Sequence, residues 1–361
     1  MNKALKFGIS AAVAAFVGLG ASAWAGELTI VSWGGAYTKS QVKAYYEPFT
    51  AKTGTKINSV DYSGGLAETK AQVESKNVKW DIVDVELSDA VRGCDEGILT
   101  PIDPAILPPA PDGTPATKDF IKGAINDCAV ANIVWSTIYA YDKTKFKNPP
   151  KTIADFFNAK DFPGKRGMRK GPKANLEFAL MADGVAPDDV YKVLGTPEGV
   201  DRAFAKLGTI KDQVVWWEAG AQPPQLLADG EVAMTTAYNG RIFGAVASEN
   251  KPFVIVWNGQ ILDLDLYVIP KGAPNTKEAL KFIAFATGTQ RLADQAKYIS
   301  YGPARKSSSA LVGKFQDGKI DMGPNMPTAP ANMKVSLLND FAFWADHQDE
   351  LNERFTAWLA K

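Results

Sequence analysis

Carboxylates and aromatic rings near the ends of predicted strands could together bind a positively charged ligand. Asp84 and Glu86 lie two residues apart in the strand-like run WDIVDVE, so their side chains share one face. Trp33 and Tyr37 flank a glycine turn that follows an earlier strand-like run. Carboxylates bind ammonium groups through charge-assisted hydrogen bonds, and ring faces attract cations and cover methylene groups. These residue types could therefore bind a cationic group.

The composition argues against catalysis. The 361 residues include one histidine, His347, and two cysteines, which excludes most zinc chemistry and any four-thiolate cluster. No GxGxxG follows the first strand, and no GxxxxGK is followed by Ser or Thr. Forty basic and forty acidic residues give zero net charge, which argues against a nucleic-acid partner. We predict no enzymatic activity, cofactor, metal or nucleic-acid partner; an exported enzyme acting on a small substrate is the lower alternative.

The N-terminus has the pattern of a secretory signal peptide. Lys3 and Lys6 precede an apolar run over 9–19, and Ala23-Trp24-Ala25 is a small-x-small cleavage site. We therefore predict cleavage after Ala25 and export to the periplasm. No later segment approaches the roughly 18 apolar residues that a membrane span needs.

Export to an oxidising compartment favours a structural role for the two cysteines. In an oxidising compartment two thiols of one chain usually pair, so we predict a disulfide between Cys94 and Cys128. A redox or nucleophilic role is the weaker reading, because neither cysteine lies in a CxxC motif or near the histidine.

Strand-like and helix-like segments alternate along the chain, and its length suggests two domains. Such alternation predicts doubly wound parallel sheets with flanking helices, which bind ligands at the carboxyl ends of their strands. The predicted strands are 28–32, 56–60, 80–86, 130–141, 213–217, 232–236, 253–257 and 262–269, and 337–359 is predicted to be helical.

Five motifs resemble the spermidine/putrescine-type periplasmic binding proteins of ABC transporters. They are TIVSWGGAY, WWEAGAQPPQLLADGEVAM, AYNGR, DLDLYVIPKGAPN and YGPARK, in the family's order. The resemblance covers essentially the whole chain after the signal peptide. It implies a type II fold with two α/β lobes, hinge crossovers between them, a ligand clamped in the cleft, and delivery to a membrane permease. By this resemblance, one lobe is 26–135 plus 266–305, and the other is 136–265 plus 306–361.

The resemblance also assigns candidate ligand contacts. Tyr238 takes the aromatic position of the family's W/Y-N-G turn, and Asp265 aligns with its amine-binding aspartate, four residues before Ile269-Pro270. Asp263 stands where the family often has an aromatic residue. Gly34-Gly35 stands where the family often has a carboxylate, so Glu86 is expected to supply that charge, and the glycine N–H groups could instead approach an anion.

Further residues are weaker candidates. Tyr301 lies at the last predicted lobe connection. Glu218 precedes the AGAQPPQ segment, and Gln222 lies within it. Glu177 resembles another family carboxylate but could equally cap a helix. Arg241, beside the Asn239-Gly240 turn, would repel a polyamine but bind a carboxylate.

These observations predict a monomeric solute-binding protein that captures a small cationic amine of the putrescine or spermidine type for ABC permease subunits. The alternative in the same fold is a zwitterionic amine, such as γ-aminobutyrate or another amino acid. That ligand would be held by Asp265 together with Arg241 or the glycine turn.

Overall fold

A computed structural model describes residues 26–316 and 318–361. The predicted signal peptide, 1–25, and its cleavage site lie outside the described residues. Within these ranges no helix combines the length and the apolar character needed to cross a membrane.

Eleven strands and fifteen helices alternate along the described chain. The strands are β1 (Glu27–Ser32), β2 (Lys56–Asp61), β3 (Ile82–Glu86), β4 (Ile125–Asn126), β5 (Ala129–Asp142), β6 (Arg166–Arg169), β7 (Val214–Trp217), β8 (Met234–Tyr238), β9 (Phe253–Val268), β10 (Gly302–Pro303) and β11 (Ser336–Leu338). The helices are α1 (Gly35–Gln41), α2 (Glu47–Thr53), α3 (Ala67–Glu74), α4 (Leu87–Asp95), α5 (Ala116–Asp119), α6 (Ile153–Phe157), α7 (Asn175–Ala182), α8 (Val190–Leu194), α9 (Pro197–Gly208), α10 (Gln222–Ala228), α11 (Asn239–Glu249), α12 (Thr276–Ala286), α13 (Thr289–Gln295), α14 (Lys306–Ser309) and α15 (Phe341–Leu359). A π-helical turn, Val42–Tyr46, joins α1 to α2.

One continuous sheet runs through the molecule in the order β2-β1-β3-β9-β5-β8-β6-β7. The strands β2, β1 and β3 are mutually parallel, as are β8, β6 and β7. Between these groups lie β5 and β9, which are 14 and 16 residues long and antiparallel to each other. Two doubly wound units are therefore joined by a pair of long strands.

The sequence predicted two separate strands, 253–257 and 262–269, where the structure has the single strand β9. The polar stretch between them has the pattern of a turn, but the strand continues through Gly259, whose φ is 81°. The pairing with β5 shifts register at this point, between Thr137 and Tyr139. The irregularity allows one strand to serve both halves of the sheet.

Buried apolar side chains form two main cores, one on each side of the β5–β9 pair. The first core draws on residues between 28 and 134 and between 262 and 304. The second draws on 139–261 and on Leu337, Trp344, Leu351 and Phe355 near the C-terminus. The predicted lobe boundaries (26–135 plus 266–305, and 136–265 plus 306–361) remain a proposal.

The C-terminal region is only partly the predicted helix. Residues Ser336–Leu338 pair in parallel with β9, and the helix begins at Phe341. The Asp340 side chain accepts hydrogen bonds from the N–H groups of Ala342 and Phe343, which caps the helix.

The predicted disulfide is confirmed. Cys94, in α4, is bonded to Cys128, just before β5, with their Cα atoms 5.8 Å apart. The two cysteines are 34 positions apart in sequence. The bond therefore links α4, the helix that follows β3, to the start of β5, the strand that runs from the first core into the second.

Candidate functional site

A small cavity lies where the tip of β1, the end of β3, β9 and the start of α11 meet. Its volume is about 20 Å³, enough for about one water molecule. Six predicted site residues line it together with Arg241 and one residue that was not predicted, Trp135. The lining residues are Trp33, Tyr37, Glu86, Trp135, Tyr238, Arg241, Asp265 and Tyr301. We call this space the Asp265 cavity.

A second cavity of similar volume adjoins the first and shares Glu86, Trp135 and Tyr238 with it. Its other charged lining residues are Arg169, Lys173 and the predicted Asp263. We call it the Lys173 cavity. Seven of the eight predicted ligand contacts therefore lie in this pair of cavities.

Aromatic rings form much of the wall between the two cavities. Tyr238 packs edge-on against Trp135, with ring centres 4.9 Å apart, and against Trp217 at 5.6 Å. Tyr37 packs edge-on against Tyr301 at 5.5 Å. Such rings cover the methylene chain of a ligand and stabilise a nearby ammonium group.

The Glu86 carboxylate is already paired with two cations from the second half of the molecule. Its Oε2 lies 2.7 Å from Lys173 Nζ, and its Oε1 lies 3.3 Å from Arg169 Nη1. Burial alone would raise the pKa of Glu86, but the charges of Lys173 and Arg169 lower it. Glu86 is therefore ionised and its charge is compensated.

Asp263 has the same cationic partner. Its Oδ2 lies 2.9 Å from Lys173 Nζ, and its Oδ1 accepts a hydrogen bond from the N–H of Leu264 at 2.8 Å. Burial favours the neutral form of Lys173, whereas Asp263 and Glu86 raise its pKa, so the ammonium stays charged.

Asp265 has a hydrogen bond but no cation. Its Oδ1 accepts from Trp135 Nε1 at 2.7 Å, and no basic side chain of the described residues lies within ion-pair distance of it. Its side chain is buried. Burial raises the pKa of Asp265, and the neighbouring carboxylates of Asp84, Glu86 and Asp263 raise it further. A ligand ammonium would supply the missing countercharge.

Arg241 is the converse case, a buried cation with no carboxylate partner among the described residues. Its Nη1 and Nη2 donate to the carbonyl oxygens of Gly34 at 2.7 Å and Trp33 at 3.0 Å, and its buried Nε has no hydrogen-bond partner. The contact needs glycine, because a Cβ at Gly35 would lie 2.6 Å from Arg241 Nη1 and the φ of Gly35 is 58°. In this structure the turn thus presents its carbonyl groups to Arg241.

Two buried indole N–H groups beside the cavities also lack partners. These belong to Trp33 and Trp217. The Arg169 guanidinium lies 6.0 Å from the centre of a Trp33 ring. Buried donors without acceptors are costly, and they are satisfied when an acceptor such as a carboxylate binds next to them.

A larger groove, of about 600 Å³, lies on the other side of Arg241 against α1, α10 and α11. Its lining includes Lys43 and Glu47, which pair with each other at 2.6 Å, and its one aromatic residue is Tyr298. It lacks two features expected of an amine site, a buried carboxylate and an aromatic wall, because both of its acidic residues, Glu47 and Glu249, are exposed. The Asp265 cavity is therefore the better candidate despite its smaller volume.

Several weaker candidates lie outside both cavities. Glu218 is exposed and pairs with Lys170 at 2.9 Å, and Gln222 accepts from the N–H groups of Glu218 and Ala219. Asp84 is buried behind the site, where Tyr37 OH donates to it at 2.8 Å and burial raises its pKa to about 7. These positions favour structural roles.

Glu177 also lies away from the cavities, beneath the C-terminal helix. Its Oε1 accepts from Trp344 Nε1 at 2.7 Å and from Tyr191 OH at 3.0 Å, while its buried Oε2 has no partner. Burial raises the pKa of Glu177 to about 7, although the two hydrogen bonds lower it.

Glu177→Gln is expected to stabilise the protein above pH 7 and to change little near pH 4, below the ordinary pKa of a glutamate. The folded state holds the Glu177 proton to higher pH than the unfolded state, so stability falls as the pH rises through the interval between the two pKa values. The variant should gain roughly 1–3 kcal/mol in free energy of unfolding at pH 8.5. Urea denaturation of both proteins at pH 4 and 8.5 measures this. Parallel pH profiles for the two proteins would contradict it.

Sequence reasoning missed Trp135, Arg169 and Lys173. Arg169 and Lys173 belong to the basic segment KRGMRKGPK, which contains the short strand β6, and Trp135 belongs to a long strand-like run. The basic segment is a visible signal, but nothing local to it indicates that two of its cations meet Glu86. Among the described residues, no cluster of His, Cys, Asp and Glu could hold a metal ion.

Comparisons with known proteins agree on a family. The sequence profile of the bacterial extracellular solute-binding proteins matches residues 44–328. The chain is 45% identical over 355 residues to the gamma-aminobutyric acid-binding protein of Pseudomonas aeruginosa, with 98% of this chain and 95% of that protein covered.

Solved structures agree on the fold. A GABA receptor is 32% identical, with a TM-score of 0.78 and coverage of 93% of this chain and 98% of that one. The spermidine/putrescine ABC transporter substrate-binding protein of Streptococcus pneumoniae has a TM-score of 0.68 over 93% of this chain and 100% of its own. At 16% identity the latter similarity concerns the fold alone.

Proposed function

This chain belongs to the family of bacterial extracellular solute-binding proteins and is the substrate-binding component of an ABC transporter, and we propose that its substrate is a zwitterionic amine, with γ-aminobutyrate first. It acts by binding, not by catalysis. The proposal includes a periplasmic location after removal of residues 1–25, delivery to permease subunits, and a monomeric state.

The observation that carries the proposal is the pair Asp265 and Arg241 in one cavity. Each is buried, and each lacks an oppositely charged partner among the described residues. A ligand with one ammonium and one carboxylate would neutralise both. In the proposed complex the ammonium binds Asp265, the carboxylate accepts from Arg241, and the methylene chain lies against Tyr238, Trp135 and Tyr37.

The same charges disfavour a polyamine, the ligand that the carboxylates alone suggested. Glu86 and Asp263 are compensated by Arg169 and Lys173, so one carboxylate, Asp265, remains for a ligand cation. A second ligand ammonium in the cavity would meet Arg241, and burying two unpaired cations together is costly. The 45% identity to a gamma-aminobutyric acid-binding protein supports the same choice.

Ligand entry requires the halves of the molecule to separate. The cavities are too small for γ-aminobutyrate as they stand, and contacts across the site hold it shut: Arg241 to the carbonyl of Gly34, and Lys173 to Glu86. We propose an open state in which these contacts are broken and a ligand-bound state in which they re-form around the ligand, with water excluded.

Titration calorimetry of the mature chain tests the proposal. γ-Aminobutyrate should bind, and n-butylamine and butyrate, which each keep one of its charges, should bind at least about tenfold more weakly. Putrescine and spermidine should bind more weakly than γ-aminobutyrate, and a panel of amino acids ranks the alternatives. Binding of putrescine or spermidine without binding of any zwitterion would contradict the proposal.

A further inference from the structure

Lys173 holds a position that a ligand cation could otherwise occupy. Its Nζ lies 2.7 Å from Glu86 Oε2, 2.9 Å from Asp263 Oδ2 and 3.1 Å from Ser88 Oγ. An ammonium group has three hydrogens to donate, and here three oxygens surround it. The side chain is 14% exposed, so the contacts lie largely out of water.

The backbone next to Lys173 supports this placement. Lys173 lies in the turn between β6 and α7, and the following residue, Ala174, has a φ of 68°. A non-glycine residue rarely takes this strained conformation, which persists only when its surroundings enforce it. The turn brings the ammonium to Glu86 and Asp263, which belong to two other strands.

The position of the Lys173 ammonium affects which ligands the two cavities can hold, because its partner Asp263 lies close to Asp265. The two residues are two apart on β9 and line the adjoining cavities, so their side chains share a face roughly 7 Å apart along the strand. Without Lys173, Asp263 would have no cationic partner and Glu86 would keep only Arg169, so the two would form a second carboxylate site with a net negative charge at that distance from Asp265. A four-carbon diamine could then place one ammonium at each end.

We infer that Lys173 determines the ligand class of the site: its ammonium takes the place of the second ammonium of a diamine and so restricts the cavities to ligands with one cation. This inference rests on the proposed function, since it explains why one cation is selected. Lys173 is in these terms a specificity-determining residue.

A purely structural role for Lys173 predicts a different result. If the ammonium served only to hold the fold together, its loss would lower stability and weaken all ligands alike. The ratio of the putrescine and γ-aminobutyrate dissociation constants separates the two roles, because a uniform loss leaves the ratio unchanged.

The experiment compares Lys173→Met with the charge-conserving control Lys173→Arg. Calorimetry with putrescine and γ-aminobutyrate gives the ratio for each protein, and thermal melting confirms that each is folded. Lys173→Met should shift the ratio toward putrescine by roughly 10- to 100-fold, and Lys173→Arg should keep the wild-type preference. If Lys173→Met does not fold, Lys173→Gln, whose amide can still donate to Glu86 or Asp263, gives the same comparison.

A second substitution tests whether the changed preference comes from the negative charge left beside position 173 or from the altered shape of the side chain there. Adding Glu86→Gln to Lys173→Met removes one of the two carboxylates that Lys173 neutralises in the wild type and should return most of the wild-type preference. An unchanged ratio in folded Lys173→Met or Lys173→Gln would overturn the inference while leaving γ-aminobutyrate binding by the wild type intact. Failure of the wild type to bind any zwitterion would instead refute the proposed function.

Discussion

Asp265→Asn should weaken γ-aminobutyrate binding by roughly 10- to 100-fold, the loss expected when a charge-assisted hydrogen bond becomes a neutral one. The amide oxygen of asparagine can still accept from Trp135 Nε1, so the local packing should survive. What disappears is the one carboxylate of the cavity without a cationic partner among the described residues. Calorimetry with γ-aminobutyrate measures the change, and thermal melting checks the fold.

Glu218→Gln is the matched control, because it makes the same acid-to-amide change outside the cavities. Glu218 is exposed and pairs with Lys170, so its loss should alter affinity by less than about twofold. Equal affinities for wild type and Asp265→Asn would remove Asp265 from the ligand site.

Arg241→Gln should weaken γ-aminobutyrate binding by a similar factor, but through loss of the contact to the ligand carboxylate and not of the contact to its ammonium. The substitution removes the cation that lines the same cavity as Asp265, so affinity for γ-aminobutyrate should fall roughly 10- to 100-fold. Affinity for n-butylamine, which has no carboxylate, should fall much less or rise. The comparison of these two ligands in wild type and variant is the measurement.

Arg241 also bonds the carbonyl groups of Trp33 and Gly34 across the site, so the variant could lose affinity through weaker closure. Weaker closure would reduce both ligands equally, whereas loss of a carboxylate contact reduces only γ-aminobutyrate. Arg241→Lys keeps the charge but not the planar fork, and should fall between wild type and Arg241→Gln. An equal loss for both ligands would contradict a carboxylate-binding role.

Local sequence patterns predicted much of the fold because its signals are local. Alternating strand and helix patterns locate β1, β2 and β3, and Gly54 ends α2 in the left-handed conformation expected of a helix terminus. The long strand β9 was divided in two because a polar stretch containing Gly259 looks like a turn. Its continuity depends on pairing with β5, residues more than a hundred positions away.

The candidate site was predicted in part, and the choice of ligand that we propose depends on the part that was missed. Residue types and the family motifs pointed to Glu86, Asp263 and Asp265, which the structure places side by side. The cations that neutralise two of them could not be paired from sequence, because Lys173 and Arg169 lie 87 and 83 residues from Glu86. Counting carboxylates without their partners favours a polyamine, and counting both favours a zwitterion.

A crystal structure of the mature protein with γ-aminobutyrate tests the central claim most directly. The account predicts the ligand ammonium within hydrogen-bonding distance of an Asp265 oxygen and the ligand carboxylate on the guanidinium of Arg241, with Lys173 still between Glu86 and Asp263. A ligand bound in the opposite direction, with its ammonium away from Asp265 and its carboxylate on Lys173, would contradict the account.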